Sequence, residues 1–252
     1  MKQGQAIDYF SRNKSFENWF QTPLGRHLLA NQRAHLERSL AHLTGARQLQ
    51  VGVSHRLPLT NSTDFTQKII TTPEHCAGIP DGVVVCDADE LPFPGDSMDL
   101  VLLHHTADFS PYPHQVLREA ARVLRGEGTI VLIGFNPLST WGVRKTVSQR
   151  KAGPWGARFL WRRRMEDWLY LLNFKIEASG THFFRLPVQR VGGRSSGGLC
   201  EKLSGYGVLP VGAYYCILAK KRVCARIPQR TVWRRNKVIG LVHTREYECP
   251  ER

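Results

Sequence analysis

The sequence predicts an α/β protein: a mostly parallel β-sheet with helices on both faces. Short, uniformly apolar segments of the kind found in buried parallel strands alternate with segments of helical periodicity. Turn formers such as Pro58 and Gly128 separate these segments. The longest apolar runs are short, such as residues 129–135, and none approaches the roughly 18 residues that a membrane span requires.

Length and composition are those of a globular protein. The chain has 252 residues, 42% hydrophobic and 22% charged, which excludes a mostly disordered chain, a collagen-like chain and a coiled coil. The start, MKQGQAIDYFSRNKSF, lacks the apolar core of a secretory signal. The six cysteines show neither Cys-x-x-Cys pairs nor zinc spacing, so we expect reduced thiols and no metal site. Together these features predict a cytoplasmic protein.

The first part of the chain predicts an N-terminal helical cap over residues 1–46. Within it, 15–44 predicts a short aromatic turn and then an amphipathic helix that ends near Gly45. The helical face is apolar and consists of Leu28, Leu29, Leu36, Leu40 and Leu43. The cap precedes a core predicted over 47–221.

The core begins with two strands whose connection is unusual. Residues 48–53 and 67–71 predict strands, but the connector between them has Pro58 and many turn formers and no helical pattern. We therefore expect an irregular first crossover. Strands are predicted next at residues 83–86, 99–105 and 129–135, and a helix at 113–128.

The end of the core predicts a helix at 165–174, a strand at 174–184 and a closing strand at 213–221. Between these strands we expect a Gly- and Arg-rich loop at 187–198 and a short helix at 198–204. A basic tail, residues 222–252, follows and is expected to dock loosely.

Positive charge is concentrated in one internal segment and in the tail. The net charge is +14, yet residues 136–165 hold 8 Lys or Arg and no Asp or Glu. Trp141, Trp155, Phe159 and Trp161 lie among these basic residues. The segment 136–168 is therefore a solvated insertion, a lid facing a substrate or an anionic membrane surface, or, as a weaker alternative, a nucleic-acid contact.

A resemblance to a known family rests on the middle of the chain. The runs 87-DADELPFPGDSMDLVLLHH-105 and 113-PHQVLREAARVLRGEG-128 resemble the type-11 methyltransferase domain of the class I S-adenosylmethionine-dependent methyltransferases. The run 135-FNPLSTWGVR-144 is similar to a group of poorly characterised bacterial methyltransferases. The resemblance implies a Rossmann-like class I methyltransferase fold with a mostly parallel seven-stranded sheet.

The resemblance also implies where S-adenosylmethionine would bind, beyond the carboxyl ends of the strands. Asp87 would accept a hydrogen bond from the adenine amino group, and the Ala88 N–H would donate to a ring nitrogen. Gly52 would let the backbone approach the cofactor, and Leu103 and His104 would line its methionine end. Asp87 could alternatively do no more than cap its loop.

A catalytic base is suggested by the loop after the fourth strand. His105 or Asp108 could take a proton from a hydroxyl or amine acceptor, because histidine titrates near neutral pH. A packed histidine is the plainer interpretation of His105. A shared metal site with His104 is disfavoured, because consecutive strand residues point to opposite faces.

The chain departs from the family pattern at two cofactor contacts. The family's first strand leads into a glycine-rich loop and a helix, whereas 49-LQVGVSHRLP-58 has Gly52 alone. The second strand ends in Thr71 and Thr72 rather than an acidic residue, and Glu74 comes only later. The sequence thus leaves two functions open. One is methyl transfer to a small-molecule or lipid-like acceptor, and the other is a catalytically inactive methyltransferase fold that binds a partner or nucleic acid through its basic segment and tail.

Overall fold

The computed structural model describes residues 2–60, 63–75, 78–147, 152–185, 187 and 212–223, with side chains from Ser11 onward. The predicted short helix at 198–204 and the tail from 224 lie outside these residues, as does all but one residue of the Gly- and Arg-rich loop. The helices are α1 (Lys2–Trp19), α2 (Pro23–Leu40), α3 (Thr106–Phe109), α4 (Pro113–Val123), α5 (Thr140–Val147) and α6 (Arg162–Leu171). The strands are β1 (Thr44–Gly52), β2 (Asp64–Thr72), β3 (Val83–Val85), β4 (Met98–His104), β5 (Leu124–Phe135), β6 (Phe174–His182) and β7 (Tyr214–Lys221).

The seven strands form one sheet in the order β3-β2-β1-β4-β5-β7-β6. Neighbouring strands from β3 to β5 are parallel, and β7 is antiparallel to both β5 and β6. The carboxyl ends of β1 to β5 therefore lie along one edge of the sheet. This arrangement confirms the predicted fold class.

Each face of the sheet is covered by a different set of helices. Along β4, Leu100 and Leu102 point to one face and Val101 and Leu103 to the other, as strand alternation requires. Helices α1 and α2 bury their apolar residues on the Leu102 face. Helices α4 and α6 cover the Leu103 face, so the predicted two-sided packing is also confirmed.

The first crossover is irregular, as predicted. Residues 53–60 contain no helix. The Gln50 amide donates to the Leu57 carbonyl at 2.8 Å, and its oxygen accepts the Leu59 N–H at 2.9 Å. This bracing turns Leu57 and Leu59 into the core beside α2.

The N-terminal segment is two helices, so the prediction of a turn followed by one helix over 15–44 was incomplete. Thr22 begins α2 as its N-cap, because its Oγ1 accepts the Gly25 N–H and Pro23 stands at the first helical position. Gly45 does not end the helix, because it pairs with Phe65 within β1. The division at residue 46 stays a prediction.

The helix predicted at 113–128 is shorter than expected. It ends at Val123, and Leu124 has extended dihedral angles. Leu124 pairs with Met98 of β4, so residues 124–128 belong to β5. Among the residues described, no helix is long and apolar enough to cross a membrane.

The cap helices share the core of the sheet, which predicts that they unfold with it. Leu36 of α2 is fully buried, so Leu36→Ala should lower the free energy of unfolding by about 2–5 kcal/mol. Leu171→Ala is the matched control: its side chain is 80% exposed, and a change within about 0.5 kcal/mol is expected. Chemical denaturation followed by circular dichroism measures both. An unchanged main transition in Leu36→Ala would show that the helices are an independent appendage.

Candidate functional site

The residues singled out from the sequence lie at or just beyond the carboxyl edge of the sheet. Gly52 ends β1 and pairs in register with His104, which ends β4. Asp87 follows β3, where the Cys86 N–H donates to the Thr72 carbonyl at the end of β2. The fold therefore lines up the predicted adenine contact, the single glycine and the histidines along one edge.

Two of the residues predicted as contacts have side chains that pack into the core rather than at this edge. Leu103 is fully buried in the core beneath α4 and α6, so only its backbone could meet a ligand. The Ala88 side chain packs in the same core, although its prediction concerns its backbone N–H. Asp87 itself is largely exposed. Partial desolvation of its carboxyl, and after it the nearby charges of Asp89 and Glu90, raise the pKa of that carboxyl.

A buried chain of hydrogen bonds crosses the end of β4. The Gln32 oxygen lies 3.1 Å from His104 Nε2, and the Gln32 amide nitrogen lies 2.9 Å from His105 Nε2. His105 Nδ1 lies 2.9 Å from Asp108 Oδ2, which also accepts the Phe135 N–H at 2.9 Å. All three side-chain bonds form when His104 carries its proton on Nε2 and His105 carries its proton on Nδ1. The two imidazoles are then opposite tautomers.

Both histidines of this buried hydrogen-bond chain are neutral. Burial lowers the pKa of His105 to about 3. Burial, together with the charges of His105 and Arg33, holds the pKa of His104 well below its ordinary value. Burial likewise raises the pKa of the Asp108 carboxyl, while the Phe135 N–H lowers it. His105 in this state is a weak base, because an efficient proton acceptor has a pKa near the operating pH.

Aromatic side chains of α1 and the loop after it seal the site. Phe16 packs edge-on against His105 and stacks on Phe109, with ring centroids 5.5 and 4.6 Å apart respectively. Phe20 lies 5.7 Å from His104, and Phe135 stacks on His105 at 4.1 Å. His105 is fully buried beneath them. A substrate can reach the predicted catalytic residue only after this cap moves.

The chain leaves β4 through an unusual backbone conformation at His105. Its φ is +54°, in the left-handed region that non-glycine residues seldom adopt. The His105 N–H is held by the Ile133 carbonyl at 3.0 Å, and its ring by Asp108 and Gln32. This strained turn points the His105 ring toward Gln32 and Asp108 rather than toward either face of the sheet.

Gln32 is the residue of this site that the sequence analysis missed. It stands four residues from both Leu28 and Leu36, in line with Leu40, so it is a polar residue within the apolar stripe of α2. It is fully buried. A buried polar side chain needs partners, and that break in the stripe was the available signal. Among the residues described, no group of three or more His, Cys, Asp or Glu could hold a metal ion.

Comparison with known sequences identifies a domain in the part of the chain that builds this edge. A family model described as a methyltransferase domain matches residues 39–132. The uncharacterized protein YafS of Escherichia coli strain K12 is 39% identical over 140 residues. That alignment covers 55% of this chain and 55% of YafS, so the chain spans about half the length of this curated relative.

Solved structures agree on the fold. An S-adenosylmethionine-dependent methyltransferase from Thermotoga maritima superposes with a TM-score of 0.63 at 20% identity, covering 86% of this chain and 100% of that one. The cyclase SpnF superposes with a TM-score of 0.52 at 19% identity, covering 76% and 80%. Residues 39–132 thus match a methyltransferase domain model, and the chain has the class I methyltransferase fold. The resemblance seen in the sequence is confirmed at this level.

Acid should weaken the protein through the buried histidines. The unfolded chain protonates His105 near pH 6.5, whereas the folded chain does so near pH 3. The stability from this group is therefore complete above about pH 6.5 and is lost at about 1.4 kcal/mol per pH unit as the pH falls toward 3. The raised pKa of Asp108 contributes a slope of the opposite sign.

The variant His105→Asn isolates this contribution. Asparagine tolerates the left-handed backbone, and its amide can replace the Nδ1–H donor to Asp108. The variant should be less stable at pH 7, yet lose stability less steeply between pH 6.5 and about 4. Denaturant titrations at several pH values measure the two slopes. Parallel slopes for the two proteins would contradict a neutral, buried His105.

Proposed function

We propose that the protein transfers a methyl group from S-adenosylmethionine to a small-molecule or lipid-like acceptor at the carboxyl edge of β1 to β4. One observation carries the proposal. His104 Nδ1 is buried without a hydrogen-bond partner and lies 4.0 Å from the point where a Cβ on Gly52 would stand. An unpartnered buried acceptor costs about 1–3 kcal/mol, so a ligand that donates to it there would recover this energy.

Two residues at the edge offer polar partners to the cofactor, and the third contact, a carboxylate for the ribose, is missing. The ammonium group of the methionine moiety could donate to His104 Nδ1, and the adenine amino group to the Asp87 carboxylate. The ribose hydroxyls lack the usual carboxylate, because β2 ends in the buried Thr71 and Thr72 and Glu74 comes two residues later. We therefore expect binding that is weaker than in a family member with all three contacts.

The cofactor supplies an electrophilic methyl group, so the chain's own task is to align the acceptor and exclude water. The cap formed by α1 and α2 already excludes water from the end of β4. When Gln32 moves aside, His105 Nε2 becomes free to take the acceptor's proton, and Asp108 would stabilise the resulting imidazolium. Opening also rehydrates the ring and raises its pKa toward neutrality.

A second function is favoured by the closed cap itself. Phe16, Phe20 and Gln32 fill the space beyond β4, and no helix follows β1 within residues 53–60. A catalytically inactive methyltransferase fold would retain such a filled edge and act through its basic segment and tail on a partner or nucleic acid. Titration with S-adenosylmethionine and S-adenosylhomocysteine separates the two functions, because only the first requires the edge to bind them.

Substitution of Asp87 tests the placement of the adenine. Asp87→Ala should weaken S-adenosylhomocysteine binding by about tenfold to a hundredfold, the loss of one hydrogen bond to a charged acceptor. Asp81→Ala is the matched control, since Asp81 is also exposed but precedes β3 at the opposite edge of the sheet. Isothermal titration calorimetry measures both affinities. Equal affinity in the two variants would remove Asp87 from the cofactor site.

Gly52 offers a test that separates ligand binding from folding. A Cβ added there would touch His104 at 3.7 Å, an ordinary contact, so Gly52→Ala should change the free energy of unfolding by less than about 0.5 kcal/mol. The same methyl group would stand where the cofactor must approach, and S-adenosylhomocysteine affinity should fall at least about tenfold. Calorimetry and thermal denaturation report the two effects. A drop in stability with affinity retained would mean that Gly52 serves packing alone.

A further inference from the structure

A second surface of the molecule, outside the buried site, combines positive charge with exposed apolar side chains. It spans residues 138–147 and 152–165, which include α5, the turn at Gly153–Gly156 and the first turn of α6, and is called the basic rim below. Its described residues carry six basic side chains and no acidic one between 136 and 165: Arg144, Lys145, Arg158, Arg162, Arg163 and Arg164.

The exposed side of α5 carries two apolar side chains beside Arg144 and Thr146, where a surface helix would normally be polar throughout. Val143 and Val147 stand one turn apart on the same side of the helix and are 63% and 79% exposed. Leu138, just before the helix, and Trp161, just before α6, are also about half exposed. Exposed apolar groups clustered among basic ones are typical of helices that lie at a membrane interface.

Three aromatic rings of the basic rim and its border with α6 are already covered by cations. Arg144 lies 5.1 Å from the Trp155 ring, Lys145 lies 4.7 Å from Phe159, and Arg164 lies 5.0 Å from Trp168. Covered rings offer little face for stacking on nucleic-acid bases. The exposed aliphatic groups, in contrast, gain free energy by entering a lipid interface. These contacts favour an anionic membrane over a nucleic acid.

The basic rim borders the carboxyl edge of the sheet. Helix α5 follows the carboxyl end of β5, and the Arg158 N–H donates to the Asp108 carbonyl at 2.6 Å. The Gly153 N–H donates to Ser15 Oγ of α1 at 2.9 Å, so the basic rim also contacts the cap. A membrane bound here would face the site at the carboxyl edge.

We propose that the basic rim docks the protein on an anionic lipid membrane, with Val143 and Val147 inserted and the surrounding arginines on the lipid headgroups. The docking itself is independent of methyl transfer. The further consequence, that a lipid-like acceptor enters from the membrane beside the cap, rests on the proposed function.

The test is vesicle cosedimentation of the full chain without cofactor. Vesicles of phosphatidylcholine alone are compared with vesicles that contain about 30% phosphatidylglycerol, and we expect binding to the anionic vesicles that weakens as salt is raised. The double variant V143S/V147S should lower the partition coefficient by about tenfold. Both side chains are exposed, so the variant should retain its fold, which thermal denaturation checks.

A matched control exists at the opposite edge of the sheet. Tyr170 and Leu171 are 57% and 80% exposed at the end of α6, just before β6 begins at the amino edge. The double variant Y170S/L171S should bind anionic vesicles like the unaltered chain. Equal loss in both variants, or equal binding to neutral and anionic vesicles, would overturn the proposal.

Two further results would also contradict docking on a membrane. The absence of vesicle binding would overturn the proposal outright. Salt-sensitive binding of a single-stranded oligonucleotide, without vesicle binding, would overturn membrane docking in favour of a nucleic-acid partner. Vesicle binding is measured without cofactor and cofactor binding without vesicles, so failure of one proposal leaves the other separately tested.

Discussion

The amide of Gln32 joins the N-terminal helices to the end of the fourth strand, and the rest of the site depends on it. One side chain hydrogen-bonds to His104 and to His105, and His105 in turn hydrogen-bonds to Asp108. In a water-free interior, removal of any member leaves a neighbour without its partner. The cap, the strained turn at His105 and the end of β5 therefore form one unit. That unit explains how the N-terminal helices, which lie almost wholly before the matched residues 39–132, reach the carboxyl edge of the sheet.

The hydrogen bonds of Gln32 also oppose the opening that the proposed function requires. The buried row of hydrogen bonds keeps both histidines neutral and shielded from water. This stabilises the fold but makes His105 a weak base. A ligand that binds only the open form has an affinity reduced by the fraction of molecules that are open. The unpartnered His104 Nδ1 partly offsets this cost, because the closed state leaves one acceptor unsatisfied. The equilibrium between the closed state and the ligand-bound state thus depends on a few polar atoms around Gln32.

The sequence predicted the architecture well because buried strands can be recognised by their uniformly apolar composition. The apolar runs at 99–105 and 129–135 became β4 and β5, and the helix-free first crossover was visible in Pro58 and its neighbours. The site was harder to predict. The boundary between α4 and β5 is decided by the pairing of Leu124 with Met98, which no local pattern reveals. Gln32 was hidden because its partners lie more than seventy residues away in the chain.

The position of the basic rim follows from topology rather than from its own sequence. A helix that follows a strand of a parallel sheet begins at the carboxyl edge, so α5 after β5 necessarily lies beside the cap. Helix α6 returns the chain to the amino edge before β6, so the exposed Leu171 at its end lies on the other side. Exposed apolar residues therefore occur at both edges. Among the described residues, only those of the basic rim lie in an acid-free segment that also hydrogen-bonds to α1 and α3. An interaction at this rim would act on the cap through contacts that already exist.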